Sequence, residues 1–175
     1  MNRPQTAHAD TAALERFLGV YEQEHAITMK VLRAYPRDRL DLRPHPRAKT
    51  AQELAWVFVL ERGLGTMLMN DAFANAPPAG EAPAVPARWE DLLAALEQAH
   101  REFADLLRSL RPEQLGEHVT FFTGPKTLGK YTRMEVAWFL LHDQIHHRGQ
   151  FSVYLRMADA KVPSIYGPSA DEPWM

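Results

Sequence analysis

The chain has 175 residues, of which 46% are hydrophobic, and this suits one globular domain with a sizeable core over residues 1–175. The net charge of −2 and the scattered 20 lysines and arginines argue against a nucleic-acid partner, which needs a concentrated basic surface. Without cysteine there is no disulfide, protein thiolate nucleophile or thiolate metal ligand. No apolar run approaches the roughly 20 residues that span a membrane, and the amino terminus lacks the apolar core of a signal peptide, so we expect a cytoplasmic protein with no membrane partner.

A first helix is predicted by an incomplete apolar stripe that begins near the amino terminus. Asp10 or Thr11 can cap this helix, which should run to about Tyr35. Pro36 ends it, since the residue before a proline is disfavoured in the helical conformation. Residues 36–49 then read as an extended, proline-containing loop.

A second helix begins at a capping box formed by Thr50 and Glu53, and should run to about Ala74. Its inward stripe has 3-4 spacing and consists of Leu54, Val57, Glu61, Leu64 and Leu68. A carboxylate in such a stripe is costly unless it is paired or bound to a cation. Either Glu61 faces the core with such a partner, or the helix is rotated and Glu61 pairs with Arg62 or another charge at the rim.

Residues 75–88 are rich in proline, alanine and glycine, and we interpret them as a linker between antiparallel helices. A third helix is predicted from Trp89 to Leu110, where Pro112 follows. His100 neighbours the apolar face of this helix, and we expect it to be a boundary residue rather than a ligand.

Residues 118–123 are β-branched and aromatic, which predicts a short strand or extended lid. The last helix opens at a second capping box, Thr132–Glu135, and should end near Asp159. Residues 161–175 are apolar enough to pack across the other elements. The pattern predicts an all-α, up-down four-helix bundle with a short extended segment before the last helix, and such bundles build metal sites from facing helices.

The last helix carries His142 and His146, which are four residues apart and therefore lie on one helix face. Two imidazoles so placed can bind one divalent metal, and the alternative is a polar patch on a solvated face. The neighbouring apolar residues favour an inward-facing pair, in a stripe of Glu135, Trp138, His142, Ile145, His146, Gly149 and Val153. We therefore expect both imidazoles to face a cleft between the second and last helices. Gln150 is expected to orient a ligand or a ligating imidazole.

Three stretches together resemble the DinB/YfiT-like superfamily of four-helix-bundle proteins, over nearly the whole chain. They are the H-D-Q-I-H-H-R-G-Q run at 142–150, the Arg43-Pro44-His45-Pro46 loop before the Thr50-x-x-Glu53-Leu54 helix start, and the Val162-Pro163-x-Ile165-Tyr166-Gly167 tail. The resemblance implies a divalent metal, usually zinc or nickel, held by three histidines, two of which match His142 and His146. Some members are thiol S-transferases, some are metal-dependent isomerases, many have no established activity, and homodimers are common.

The third family histidine is missing, because Val57 stands where it is expected and valine cannot ligate. Glu61, one turn further on the same face, could replace it, and a site of His142, His146 and Glu61 is chemically reasonable for zinc or nickel. The other interpretation is that the metal has been lost and the fold retained. His147 is not expected to substitute, since five residues of helix turn it about 140° away from His142.

Two function hypotheses follow. The first is a divalent-metal-dependent enzyme, of thiol S-transferase or hydrolase type, acting on a small molecule such as a low-molecular-weight thiol. The substrate would supply any thiol, because the chain has no cysteine, and no catalytic residue is assigned. The second is a non-catalytic small-molecule-binding or stress-response bundle without the metal.

Overall fold

Four α-helices and one β-hairpin make up the computed structural model of the protein, which describes residues 3–175, with side chains from residue 11. The helices are α1 (Arg3–Arg33), α2 (Ala51–Met69), α3 (Trp89–Ser109) and α4 (Arg133–Met157). The antiparallel strands are β1 (His118–Gly124) and β2 (Thr127–Thr132), and short 3-10 turns occupy Arg37–Arg39 and Pro112–Gly116. The mostly helical prediction is confirmed. The extended segment before α4 is a paired hairpin, so the chain is not purely α-helical.

Both predicted capping boxes are present and explain where α2 and α4 begin. Thr50 Oγ1 accepts from the Glu53 amide at 3.1 Å, while Glu53 Oε2 accepts from the Thr50 amide at 2.7 Å. The same two bonds at Thr132 and Glu135 measure 3.2 and 2.7 Å. Each pair of bonds satisfies two amides that a helix start leaves without partners.

The predicted start of α1 and the predicted end of α2 are wrong. The α1 helix begins at Arg3, so Asp10 and Thr11 lie inside it and do not cap its start. The α2 helix ends at Met69 instead of Ala74, and turns follow in which Asp71 has φ +49°.

The core consists of two apolar clusters, one at each end of the helices. One cluster joins the carboxyl ends of α1 and α4 to the amino ends of α2 and α3, through residues such as Leu32, Phe58, Leu92 and Phe151. The other joins the opposite ends. Consequently α2 and α3 run parallel to each other and antiparallel to α1 and α4. The predicted up-down alternation is therefore wrong.

The connection over residues 70–88 makes this arrangement possible, because it returns along α2 before α3 begins. Trp56 Nε1 donates to the Pro83 carbonyl at 2.8 Å, and Gln52 Nε2 donates to the Pro86 carbonyl at 2.8 Å. The linker thus lies beside the first half of α2. It is a crossover between parallel helices, and the prediction that it joins antiparallel helices is wrong.

A polar layer lies between the two clusters and includes residues from all four helices. We define it by its buried members: Glu24, His25 and Thr28 on α1, Glu61 and Arg62 on α2, His100 on α3, and Gln144 and Arg148 on α4. No helix among the described residues is long and apolar enough to cross a membrane.

The α1, α2 and α3 part of this layer contains two stacked imidazoles. The His25 and His100 rings lie 3.7 Å apart at 8°, and the Arg62 guanidinium is 3.3 Å from His25 Nδ1. His100 is 3% exposed and its Nε2 is 2.7 Å from Glu22 Oε2, so the expectation of a boundary residue is wrong. Burial and then the charges of His100 and Arg62 lower the pKa of His25 to about 4, against the opposing effect of Glu97.

Acid should therefore destabilise the protein through His25. Its folded-state pKa lies below the unfolded value of about 6.5, so the unfolded state binds the proton more tightly. The free energy of unfolding should fall as pH drops from 6.5 to 4, by on the order of 2 kcal/mol at pH 5. Urea denaturation of the wild type and His25→Gln across this range isolates the effect as a difference in slope. Parallel slopes would contradict it.

Candidate metal site

The face of α4 that packs against the other helices differs from the predicted one. Its buried residues are Val136, Ala137, Leu140, Leu141, Gln144, Arg148, Phe151, Tyr154 and Leu155. His142 and His146 are exposed, so the expectation that both imidazoles face a cleft between α2 and α4 is wrong. The physical reason is that Gln144 and Arg148 occupy the inner face, where Arg148 pairs with Glu24 at 2.6 Å.

The two exposed imidazoles have other neighbours. The Trp138 ring lies 5.8 Å from that of His142, and Gln150 Nε2 lies 2.9 Å from His146 Nε2. Glu61 is buried and pairs with His147, so it faces inward with a partner, as the first of the two interpretations held. The structure does not bring the set of His142, His146 and Glu61 together, and metal binding by the two exposed histidines stays a prediction.

Three other side chains converge between α2 and α4. Glu61, Asp143 and His147 each offer one ligand atom, and these atoms lie within 4.8 Å of one another. His147 Nε2 is 3.1 Å from Glu61 Oε1 and 3.8 Å from Asp143 Oδ1. Glu61 is buried and the other two are half-buried. Like the predicted pair, Asp143 and His147 are four residues apart, but one position further along α4.

Burial and mutual pairing control the charges of this cluster. Burial raises the pKa of Glu61, against the lowering effect of its hydrogen bond with His147, and the nearby Asp143 raises it further. The hydrogen bond with Glu61 raises the pKa of His147, against the effect of its burial. Both pKa shifts favour the retention of a proton by the pair of Glu61 and His147.

One oxygen of Glu61 is available to coordinate a cation. Among the described residues, its buried Oε2 has no hydrogen-bond partner. An unsatisfied buried carboxylate oxygen is costly, and a divalent cation would satisfy it. The residues present therefore fit a metal ion.

Gln150 orients the His147 imidazole. Its Oε1 lies 3.2 Å from His147 Nδ1, and its Nε2 donates toward His146 Nε2. With Nδ1–H donated to Gln150, a neutral His147 directs the lone pair of Nε2 toward the two carboxylates. Such a partner on the second ring nitrogen is typical of metal-bound histidines. The expectation that Gln150 orients an imidazole agrees with these contacts.

Two carboxylates and one imidazole form a donor set that suits zinc, nickel, manganese or iron(II). The two carboxylate charges would offset those of the dication. The site is also reachable, because Glu61 lines one surface cavity of about 580 Å³, and His147 and Gln150 line another of about 390 Å³. The arrangement can thus hold a cation and place a small molecule beside it.

Two comparisons with known sequences found matches that cover most of the chain. The model of the DinB family matches residues 5–174. The chain is also 29% identical over 160 residues to the uncharacterized protein YrdA of Bacillus subtilis (strain 168), and the match covers 91% of both chains.

Solved structures show the same fold. A DinB-like protein from Bacillus cereus ATCC 10987 has a TM-score of 0.69 at 23% identity, covering 87% of this chain and 97% of its own. A second one, YjoA from Bacillus subtilis, has a TM-score of 0.63 at 18% identity, with coverages of 85% and 96%. A conserved protein from Enterococcus faecalis has a TM-score of 0.57 at 20% identity, with coverages of 90% and 97%.

Proposed function

The chain belongs to the DinB family, and we propose that it is a divalent-metal-dependent enzyme that acts on a small molecule. We assign the metal to Glu61, Asp143 and His147. The observation that supports this assignment most is the convergence of three ligand atoms on a buried carboxylate oxygen without a partner.

A divalent cation with three protein ligands keeps positions for other ligands, and there it polarises a substrate or lowers the pKa of a bound water or thiol. The protein residues prepare this site. Gln150 fixes the ring orientation of His147, while α2 and α4 hold the buried Glu61 opposite Asp143. The capping boxes at Thr50 and Thr132 anchor the starts of the same two helices.

The proposed reaction is a transfer or a hydrolysis in which the nucleophile is a substrate thiol or a water. The chain contains no cysteine, so no protein thiol takes part. Zinc and nickel are the proposed metals, and the two carboxylates also suit manganese and iron(II).

The second candidate is a non-catalytic binding protein without a metal. It is favoured by the pair of Glu61 and His147, whose atoms lie 3.1 Å apart and partly satisfy each other when His147 is protonated. The proton and the cation would then compete for the same two side chains. This competition makes the two candidates distinguishable by experiment.

The wild-type protein should bind one zinc ion per chain, with an affinity that decreases as the pH falls from 8 to 6. The hydrogen bond with Glu61 raises the pKa of His147. The protonated fraction of His147 increases as the pH falls, and the metal must displace this proton to bind. Isothermal titration calorimetry in two buffers of different ionisation enthalpy measures both affinity and proton release.

Nickel and manganese are titrated in parallel. Stoichiometric binding with proton release supports the enzyme. Absence of binding with all three metals would contradict it and favour the metal-free binding protein.

A further inference from the structure

A groove follows the outer side of α2, and we define it by three adjoining cavities. The first has about 580 Å³ and lies between α2 and the crossover linker, where Trp56, Leu60 and Pro83 form an apolar wall. The hydrogen bond from Trp56 Nε1 to the Pro83 carbonyl holds the linker against the helix. This part of the groove can accommodate an apolar group.

The other two cavities extend the groove to the candidate metal site. The second, of about 380 Å³, shares Trp56, Leu60 and Pro83 with the first and is also lined by Arg47 and Lys49. The third, of about 390 Å³, shares Lys49 with the second and ends at His147. Glu61 lines the first cavity and His147 lines the third, so both end cavities of the groove contain a candidate metal ligand.

The unpaired charges at the second cavity favour an anion, whereas two glutamates line the first cavity. Arg47 and Lys49 are exposed, and among the described residues their side chains have no hydrogen-bond or ion-pair partner. In the same loop Arg43 is paired with Glu53, whose carboxylate also completes the α2 capping box. Two unpaired cations therefore line the second cavity, which Glu53 also lines, and Lys49 lines the third cavity as well.

We propose that this groove binds a small organic anion, with its acidic group between Arg47 and Lys49 and its apolar part on Trp56, Leu60 and Pro83. The inference deepens the proposed function, on which it rests, by stating the class of substrate: an amphipathic organic acid whose reactive group reaches the metal beside His147. Carboxylate, phosphate and sulfonate groups share the recognised chemistry.

Two fluorescent dyes of similar shape test the charge requirement. The anion is 8-anilinonaphthalene-1-sulfonate, and N-phenyl-1-naphthylamine is its neutral counterpart. The double variant Arg47→Ala/Lys49→Ala should bind the sulfonate about tenfold more weakly than the wild type, because it loses two cations, and should bind the neutral dye unchanged. A control, Arg16→Ala/Lys161→Ala, removes the same charge outside the groove and should bind both dyes like the wild type. Ionic strength is kept constant.

The location of the dyes is tested with Leu60→Asp, which places a carboxylate on the apolar wall and should weaken both dyes. The proposal is overturned if the sulfonate binds Arg47→Ala/Lys49→Ala as tightly as the wild type. It is also overturned if the control loses as much affinity, if the neutral dye is weakened equally, or if Leu60→Asp leaves both dyes unaffected.

Zinc titration of the same variants separates this proposal from the proposed function. Arg47→Ala/Lys49→Ala should bind zinc like the wild type, and Glu61→Gln should lose zinc but retain the sulfonate dye. A wild type that binds the dye through the two cations but takes up no metal would refute the metal enzyme alone. A wild type that binds zinc without cation-dependent dye binding would refute the substrate class alone.

Discussion

Replacement of His147 by glutamine should weaken zinc binding by more than about 100-fold, since even the loss of a group that only orients a ligand typically costs 10–100-fold. His147 Nε2 lies 3.1 Å from Glu61 Oε1 and 3.8 Å from Asp143 Oδ1, and glutamine cannot supply an imidazole nitrogen at this point. Glu61→Gln should have a similar effect, because it removes the buried carboxylate without changing its size. Calorimetric zinc titrations measure both changes.

The matched control is His142→Gln, which alters an exposed histidine on the same helix and should leave zinc binding within about threefold of the wild type. Circular dichroism checks that each variant is folded. If His142→Gln abolishes zinc binding and His147→Gln retains it, the exposed pair binds the metal and our assignment is wrong.

Replacement of Arg148 by methionine should lower the free energy of unfolding by about 3–5 kcal/mol, the usual cost of removing one partner from a buried ion pair. Arg148 is 1% exposed, and its guanidinium lies 2.6 Å from Glu24 Oε2 and donates to the Glu24 carbonyl at 3.0 Å. It also donates to the Tyr166 hydroxyl, which in turn donates to Glu24 Oε2 at 2.7 Å. The substitution leaves a buried carboxylate without its cation and loosens the attachment of the tail.

Urea denaturation followed by circular dichroism measures this loss, with Arg156→Met as the control on the same helix. Arg156 is exposed and paired with Asp171, and removal of such a surface pair costs about 0–1 kcal/mol. The double variant Glu24→Gln/Arg148→Met should recover part of the stability, because it removes the unpaired charge. Equal losses in Arg148→Met and Arg156→Met would show that the buried pair has no special role.

The helices could be predicted because their signals are local. Capping boxes at Thr50 and Thr132 and the 3.6-residue apolar period depend only on neighbouring residues, and all four predicted helices are present. Helix direction is not a local property. The α2 helix is about 28 Å long, and the linker that follows the turns after α2 can return over that distance, so α3 can start beside the start of α2. Loop composition alone could not distinguish this crossover from a linker between antiparallel helices.

The candidate site was predicted only in part, through Glu61, the carboxylate that interrupts the apolar stripe of α2. The α4 members of the cluster, Asp143 and His147, have the same spacing as His142 and His146 but lie one residue further along the chain. The buried face of α4 follows Leu140, Leu141, Phe151 and Leu155, which share a helical spacing, but the polar Arg148 interrupts this apolar pattern. The partners of Arg148 are Glu24, on α1, and Tyr166, in the tail, and such distant contacts leave no mark on the local pattern. The rotation of α4 about its axis that buries Arg148 also exposes the apolar Val153.

Anomalous diffraction at the zinc edge, from crystals grown with zinc, tests the metal assignment most directly. We predict one anomalous peak per chain between α2 and α4, about 2.0–2.2 Å from the carboxylate oxygens of Glu61 and Asp143 and from Nε2 of His147. A peak bonded instead to His142 and His146, or no peak between α2 and α4, would contradict the assignment.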